Sequence, residues 1–243
     1  MSTKTIDQHE IDQFNRHADQ WWQADGIFKP LHKMNPCRIQ FIKNVICRHL
    51  GKKPGDAKPL SGLTILDAGC GGGLLTEPLT RLGATVTGID AGDKNIEVAR
   101  NHAKAQDLVI DYQIGTPEDL GTKKKFDVVI SLEVVEHVAD IQAYINACTK
   151  LVKKNGLLIL STLNRTSVSY LGAIGLGEYV LKWVPKGTHD WHKFVKPAEL
   201  ARFLENADFK IDHMQGMIYK PFSKQWTLSN RVDINYIVSA VPE

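Results

Sequence analysis

The chain has 243 residues, 43% hydrophobic and 23% charged, with a formal net charge of +3. That length suits one large α/β domain with small additions, the composition is that of an ordinary soluble protein, and 30 Lys and Arg against 27 Asp and Glu make no demand for nucleic acid. Four cysteines (Cys37, Cys47, Cys70, Cys148) without CxxC spacing argue against a zinc ribbon or a disulfide framework and fit a reducing cytosol.

The first residues, MSTKTIDQHEIDQF, are polar and carry no apolar core of a signal peptide. No stretch reaches the about 18 apolar residues of a membrane-spanning helix, so a cytoplasmic location is expected. Ile11, Phe14, Ala18, Trp21 and Trp22 recur at helical spacing and predict an amphipathic helix over 7–24. Pro30 and Pro36 are expected to break the chain before a helix over 37–50, and KKPGDAKPLSG reads as a loop. LTILDAG, ATVTGID, LVIDYQIG, FDVVISLE and LLILSTL are then five strands. The helices between them are predicted in LLTEPLTRLG, in AGDKNIEVARNHAKAQD and over about 141–153. Strands alternating with helices at this spacing mean a parallel sheet covered on both faces. The tail differs: a helix in PAELARFLENA precedes two strands, FKIDHMQGMIY and VDINYIVSAV, joined by a loop.

LDAGCGGG (66–73) closes the first strand and opens the first helix. Glycines there let the backbone turn sharply and approach a ligand, and ligands of open α/β sheets sit beyond the carboxyl ends of the strands. A dinucleotide fingerprint GxGxxG would need glycine at Leu74, which disfavours a nucleotide-dependent dehydrogenase. The second strand ends in Asp90, an acid placed to accept hydrogen bonds from two ribose hydroxyls. The pattern resembles class I S-adenosylmethionine-dependent methyltransferases. That resemblance implies a Rossmann-like class I methyltransferase fold, with a mostly parallel seven-stranded sheet, an antiparallel C-terminal hairpin and helices on both faces. It implies S-adenosylmethionine at Asp67, Gly69, Gly71 and Asp90. In TPEDL, Glu118 or Asp119 either meets the adenine amino group or only caps a helix.

Further out, WW at 21–22, FKPLHKMNPCR at 28–38, STLNRT at 161–166 and VPKGTHDWHKFVKPAEL at 184–200 resemble the ubiquinone-biosynthesis O-methyltransferases, from about residue 7 to the end. The resemblance implies methylation of a ring hydroxyl on polyprenylated phenols and catechols, at two steps of the pathway. It also implies cofactor contacts at Arg38, Gly69, Asp90 and Leu132. The guanidinium of Arg38 suits the methionine carboxylate; otherwise it is a surface arginine on a helix. One domain over 1–243 is expected, with a helical cap at 1–50 and a substrate- or membrane-facing insertion at 165–195.

SLEVVEHV (131–138) puts Glu133, Glu136 and His137 just after the fourth strand. Three readings compete, and they are not exclusive. The residues hold a divalent metal; the resembled family is described with magnesium on this E-x-x-E-H pattern, which would lower a hydroxyl pKa, although histidine is an unusual magnesium ligand. Or His137 is a general base. Or the acids only favour the next helix or line the pocket. His189, Asp190, His192 and Lys193 form a second polar cluster, either a lid that supplies a base through His189 or a well-bonded loop.

SVSYLGAIGLGEYVLKWVPKG (167–187) is rich in Leu, Ile, Val, Tyr and Trp, with Arg165, Lys182 and Lys186 at its edges. It suits either plain packing on the core or contact of 165–187 with anionic lipid on the inner face of a membrane, from which a polyprenyl substrate would come. A partner complex of the same pathway is a further expectation. A non-catalytic scaffold subunit is the rival from another class, and the intact glycine loop, Asp90 and Glu133/Glu136/His137 count against it.

Overall fold

The computed structural model describes residues 5–121, 124–170 and 191–243. Its sheet has strands β1 (Thr64–Ala68), β2 (Thr85–Asp90), β3 (Asp111–Ile114), β4 (Phe126–Leu132), β5 (Val152–Leu163), β6 (Phe209–Lys220), β7 (Gln225–Ser229) and β8 (Asn235–Pro242). They lie in the order β3-β2-β1-β4-β5-β8-β6-β7. The first five pair in parallel, and β8 joins β5 antiparallel, as β6 joins β8 and β7 joins β6. The direction of winding reverses between β1 and β4, which puts the glycine loop at the switch point where such sheets bind ligands.

Side chains on successive strand residues face opposite sides, and the core splits accordingly. Ile65, Val128, Ile130, Leu157 and Ile159 pack with Phe41, Ile42 and Ile46 of α2 (Lys29–His49) and Leu79 of α3 (Thr76–Arg81). Their neighbours Leu66, Val129, Leu158 and Leu160 pack on the other face with Tyr144, Ile145 and Cys148 of α5 (Ile141–Lys150). The one-turn α6 (Ser167–Ser169) and then α7 (Pro197–Glu205) follow, the latter adding Leu200 and Leu204 to that second face. Near the β3 edge, α4 (Asp93–Ala105) packs Ile96, Ala99 and Ala103 on Tyr112. Continuous apolar runs such as FDVVI and LLILSTL are what a sheet covered on both faces requires.

Three elements differ from expectation. The helix foreseen over 7–24 is α1 (Gln8–Asn15) followed by a 3-10 turn, Ala18–Gln20. Tertiary anchors override its periodicity: Trp21 Nε1 donates to Asn95 Oδ1 at 2.8 Å and Trp22 Nε1 to the Gly72 carbonyl at 2.9 Å. Helix α2 starts at Lys29 and runs through Pro36 without breaking. Pro30 lies in the first turn, where its missing N–H is harmless. Pro36 removes one helical hydrogen bond, offset by the burial of Met34, Cys37, Phe41, Ile42, Val45 and Ile46 on the same helix. The sheet also has eight strands rather than seven. The added strand is β7, whose five residues QWTLS follow an exposed turn and are too short to show alternation.

Candidate active site

Loop 69–73 leaves β1 with Gly69 at φ +77° and Gly71 at φ +52°. Both need the left-handed region, and both are crowded: a Cβ on Gly69 would come within 2.4 Å of Val134, and one on Gly71 within 2.4 Å of the Trp21 ring. Asp90, at the end of β2, holds the loop in place. Its Oδ2 accepts from the Gly71 N–H at 2.9 Å, and its Oδ1 accepts from the Gly92 N–H at 2.8 Å and from Asn95 Nδ2 at 3.1 Å. Burial raises the Asp90 carboxyl above its ordinary range, and these donors oppose the rise. Asp67 lies behind the loop. It is buried, accepts from Thr76 Oγ1 at 2.7 Å, is pushed up to about 7 by burial, and does not line the cavity.

The cavity in front of the loop measures about 750 Å³. Arg38, Gly69, Gly71, Asp90 and Leu132 line it, as do Gly115 and Pro117 from the turn after β3. In that turn Asp119 accepts from the N–H and hydroxyl of Thr116 at 2.8 and 2.9 Å, so it is a cap. Glu118 accepts from the Thr5 hydroxyl, and its Oε2 is buried without a partner among the described residues. Trp21 and Phe28, stacked with ring centroids 3.8 Å apart, close the wall from the N-terminal segment. These residues fit S-adenosylmethionine. A tight glycine cradle meets the strand-two acid, and the buried Nε of Arg38 has no acceptor of its own among the described residues.

Glu133, Glu136 and His137 also line the cavity. Glu133 stands at φ +55°, a conformation non-glycine residues seldom hold outside constrained sites. Its Oε1 pairs with Arg38 Nη2 at 2.8 Å and accepts from Ser161 Oγ at 2.6 Å. Glu136 is buried and accepts from Thr162 Oγ1 at 2.8 Å; burial, then the charge of Glu133, pushes it up to about 7. His137 Nδ1 faces Glu10 Oε2 at 3.0 Å. The three side chains thus point to three different partners, and no group of three His, Cys, Asp or Glu among the described residues is arranged to hold a metal. As arranged they do not fit the expected ion. Nor do the two glutamates cap the following helix, because Asp140 does so by accepting from the Ala143 N–H at 2.9 Å.

Glu10 was not foreseen in the sequence. Its hydrogen bond to His137, and then Lys193 Nζ at 2.7 Å, hold its carboxyl down at about 2 against burial. Burial alone would depress His137, but the Glu10 hydrogen bond and the charges of Glu136, Glu10 and Glu133 together hold it above its ordinary value. The Phe14 ring lies edge-on to the imidazole, with centroids 5.3 Å apart. Of the second polar cluster, His189 and Asp190 lie outside the described residues, and Lys193 reaches the site through Glu10.

A methyltransferase-domain family model matches residues 38–214. The chain is 48% identical over 237 residues to the ubiquinone biosynthesis O-methyltransferase of Pelagibacter ubique (strain HTCC1062), covering 98% of each. It is 46% identical to the mitochondrial ubiquinone biosynthesis O-methyltransferase of Arabidopsis thaliana, covering 97% of this chain and 74% of that one. Among solved structures, magnesium protoporphyrin IX methyltransferase from Synechocystis PCC 6803 with bound SAH superimposes with a TM-score of 0.67 at 25% identity, covering 98% of this chain and all of that one.

Proposed function

Since the chain belongs to the ubiquinone biosynthesis O-methyltransferase family, we propose that it methylates a ring hydroxyl of polyprenylated phenols and catechols at the site just described, with S-adenosylmethionine as donor. S-adenosylmethionine supplies a methyl carbon already activated on a sulfonium. Asp90 and the glycine loop bind its ribose, Arg38 its carboxylate, and Leu132 lies against it; Asp67 ties the end of β1 to the start of α3 through Thr76. A phenol with a pKa of about 10 is mostly protonated at neutral pH. His137 therefore accepts the hydroxyl proton at Nε2, with Glu10 orienting the ring through Nδ1 and stabilising the imidazolium. The single observation carrying this reading is the Glu10–His137 pair at 3.0 Å on the wall of the cavity that also holds the glycine loop. The same base would serve both O-methylation steps, since each presents a ring hydroxyl beside a polyprenyl chain.

No step is routed through magnesium, because Glu133, Glu136 and His137 are each engaged by a different partner. The test is transfer of labelled methyl from S-adenosylmethionine to a short-tailed prenyl catechol, with chelator and with added magnesium. Transfer is expected; its absence in both arms would end the proposal. Loss with chelator and recovery with magnesium would mean that Glu133 and His137 leave Arg38 and Glu10 to share an ion.

Contact with anionic lipid through 165–187 remains part of the proposal. Most of that segment lies outside the described residues, but Val168 and Tyr170 at its start are exposed. No helix among the described residues is long and apolar enough to cross a membrane. Replacing the apolar residues of 170–183 with serine is expected to release the protein from anionic liposomes in a flotation assay. Unchanged flotation would remove the lipid contact.

A further inference from the structure

The cavity is much longer than a cofactor site needs to be. Asp90, on its wall, ends β2, while Ile218 and Trp226 on the same wall belong to β6 and β7. Six strand-to-strand steps separate β2 from β7. At a spacing of about 4.8 Å per step, the sheet carries the wall roughly 29 Å sideways. Because β6 runs the same way as β5, its last residues emerge at the carboxyl edge of the sheet, beside the start of β7 and on the side where the glycine loop lies.

The two ends differ in chemistry. The β1–β2 end is built from Gly69, Gly71, Asp90 and Asn95, which offer hydrogen bonds. The far end is walled by Met217, Ile218, Tyr219 and Trp226 of the hairpin, with Met34 of α2 against Asn235 at the start of β8 and Leu31, one turn earlier, leading back towards Trp21 and Phe28. The Tyr219 and Trp226 rings lie 5.7 Å apart, forming an aromatic side to the passage. The charged groups lining that end, Arg231 and Asp233, pair with each other at 2.8 Å. A branched hydrocarbon suits walls made mainly of apolar side chains, and the Trp226 Nε1, buried without a partner among the described residues, makes no polar demand on it that a hydrocarbon could worsen.

We propose that the β6–β7 hairpin, with Met34 of α2, forms a subsite for the first isoprenoid units of the substrate's tail, and so sets the enzyme's preference for prenylated rings. This rests on the methyltransferase reading above. It gives the strand beyond the expected seven a function: β7 extends the carboxyl edge so that the hydrocarbon is received beyond β5 while the ring hydroxyl faces His137.

The experiment compares kcat/KM for catechols bearing one and three isoprenoid units, in the wild type and in Ile218→Trp and Ile218→Asn. Ile218 is half-buried on the cavity wall, so the first variant fills the passage and the second makes it polar. The wild type is expected to prefer the longer tail. Both variants are expected to lower the three-unit to one-unit ratio by about tenfold, mainly through KM, the factor expected when one or two methylene groups are kept out of an apolar site. Thermal melting checks that the variants fold, and Met34→Trp, from the opposite wall, replaces either one that does not. A wild type indifferent to tail length, or variants that slow both substrates equally, would overturn the subsite. Absence of transfer to either substrate by the wild type would instead sink the methyltransferase reading.

Discussion

Replacing Asp90 with alanine is expected to weaken S-adenosylhomocysteine binding by about a hundredfold or more, the scale of losing charge-assisted bonds at a buried site. The loss has two parts. The carboxylate would no longer receive the ribose hydroxyls. The Gly71 N–H, the Gly92 N–H and Asn95 Nδ2 would also lose their shared acceptor. With Asn95 released, Trp21 loses the fixed position of its own acceptor, and the wall it forms over the loop loosens. Isothermal titration of the variant checks this. Affinity within threefold of wild type would mean that the cofactor is held elsewhere. Asp90→Asn keeps an acceptor and the shape, so it should fall between the two; a loss equal to that of alanine would put the charge, rather than the geometry, in the lead.

His137→Ala is expected to lower kcat by a factor of about 10²–10⁴, the usual worth of a positioned base, while leaving cofactor affinity close to wild type. Full activity would move the base to another residue, His189 being the first to substitute. The pH profile adds a sharper readout. The base must be neutral to act, and His137 is held above its ordinary value, so kcat/KM rises with pH through that raised pKa. Glu10→Gln removes the hydrogen-bonded carboxylate and is expected to shift the rising limb to lower pH, with a lower plateau because the imidazole is a weaker base. A limb that stays put would sever Glu10 from the chemistry. The same groups set signs for stability. Glu10, depressed from 4.5 to about 2, contributes stability that is present above pH 4.5 and lost as pH falls toward 2. His137, raised, contributes stability that is full below its unfolded value and lost as pH rises through its folded one.

What could be read in the sequence was local. Glycine loop, strand-two acid and the SLEVVEHV stretch each lie within a few residues of a strand end, and a strand end in this architecture has a known place. Asp90 reaches Gly71 across one strand pair, so both were legible. Glu10 was not: it meets His137 across 127 residues and Lys193 across 183, and within its own helix it is one acid among polar neighbours. Arg38 and Glu133 each stand out in the sequence, but nothing in their spacing says that they pair. The proximity of Glu133, Glu136 and His137 in sequence suggested convergence on an ion. Positive φ at Glu133 and the short 3-10 turn Val135–His137 turn the three side chains toward different neighbours. Such a backbone turn leaves no mark on composition. Prolines misled in the opposite way at Pro36, where packing outweighed a missing donor.

Trp21 has a consequence for turnover. The lid over the glycine loop belongs to the N-terminal segment, fastened by one indole hydrogen bond to Asn95 and, through Trp22, by another to Gly72. Spent donor must leave and fresh donor arrive once per cycle, past a wall that the sheet itself does not supply. If the donor passes on that side, Trp21 must leave Asn95 for each exchange, a step separate from the chemistry at His137 and able to set the pace when methyl transfer is fast.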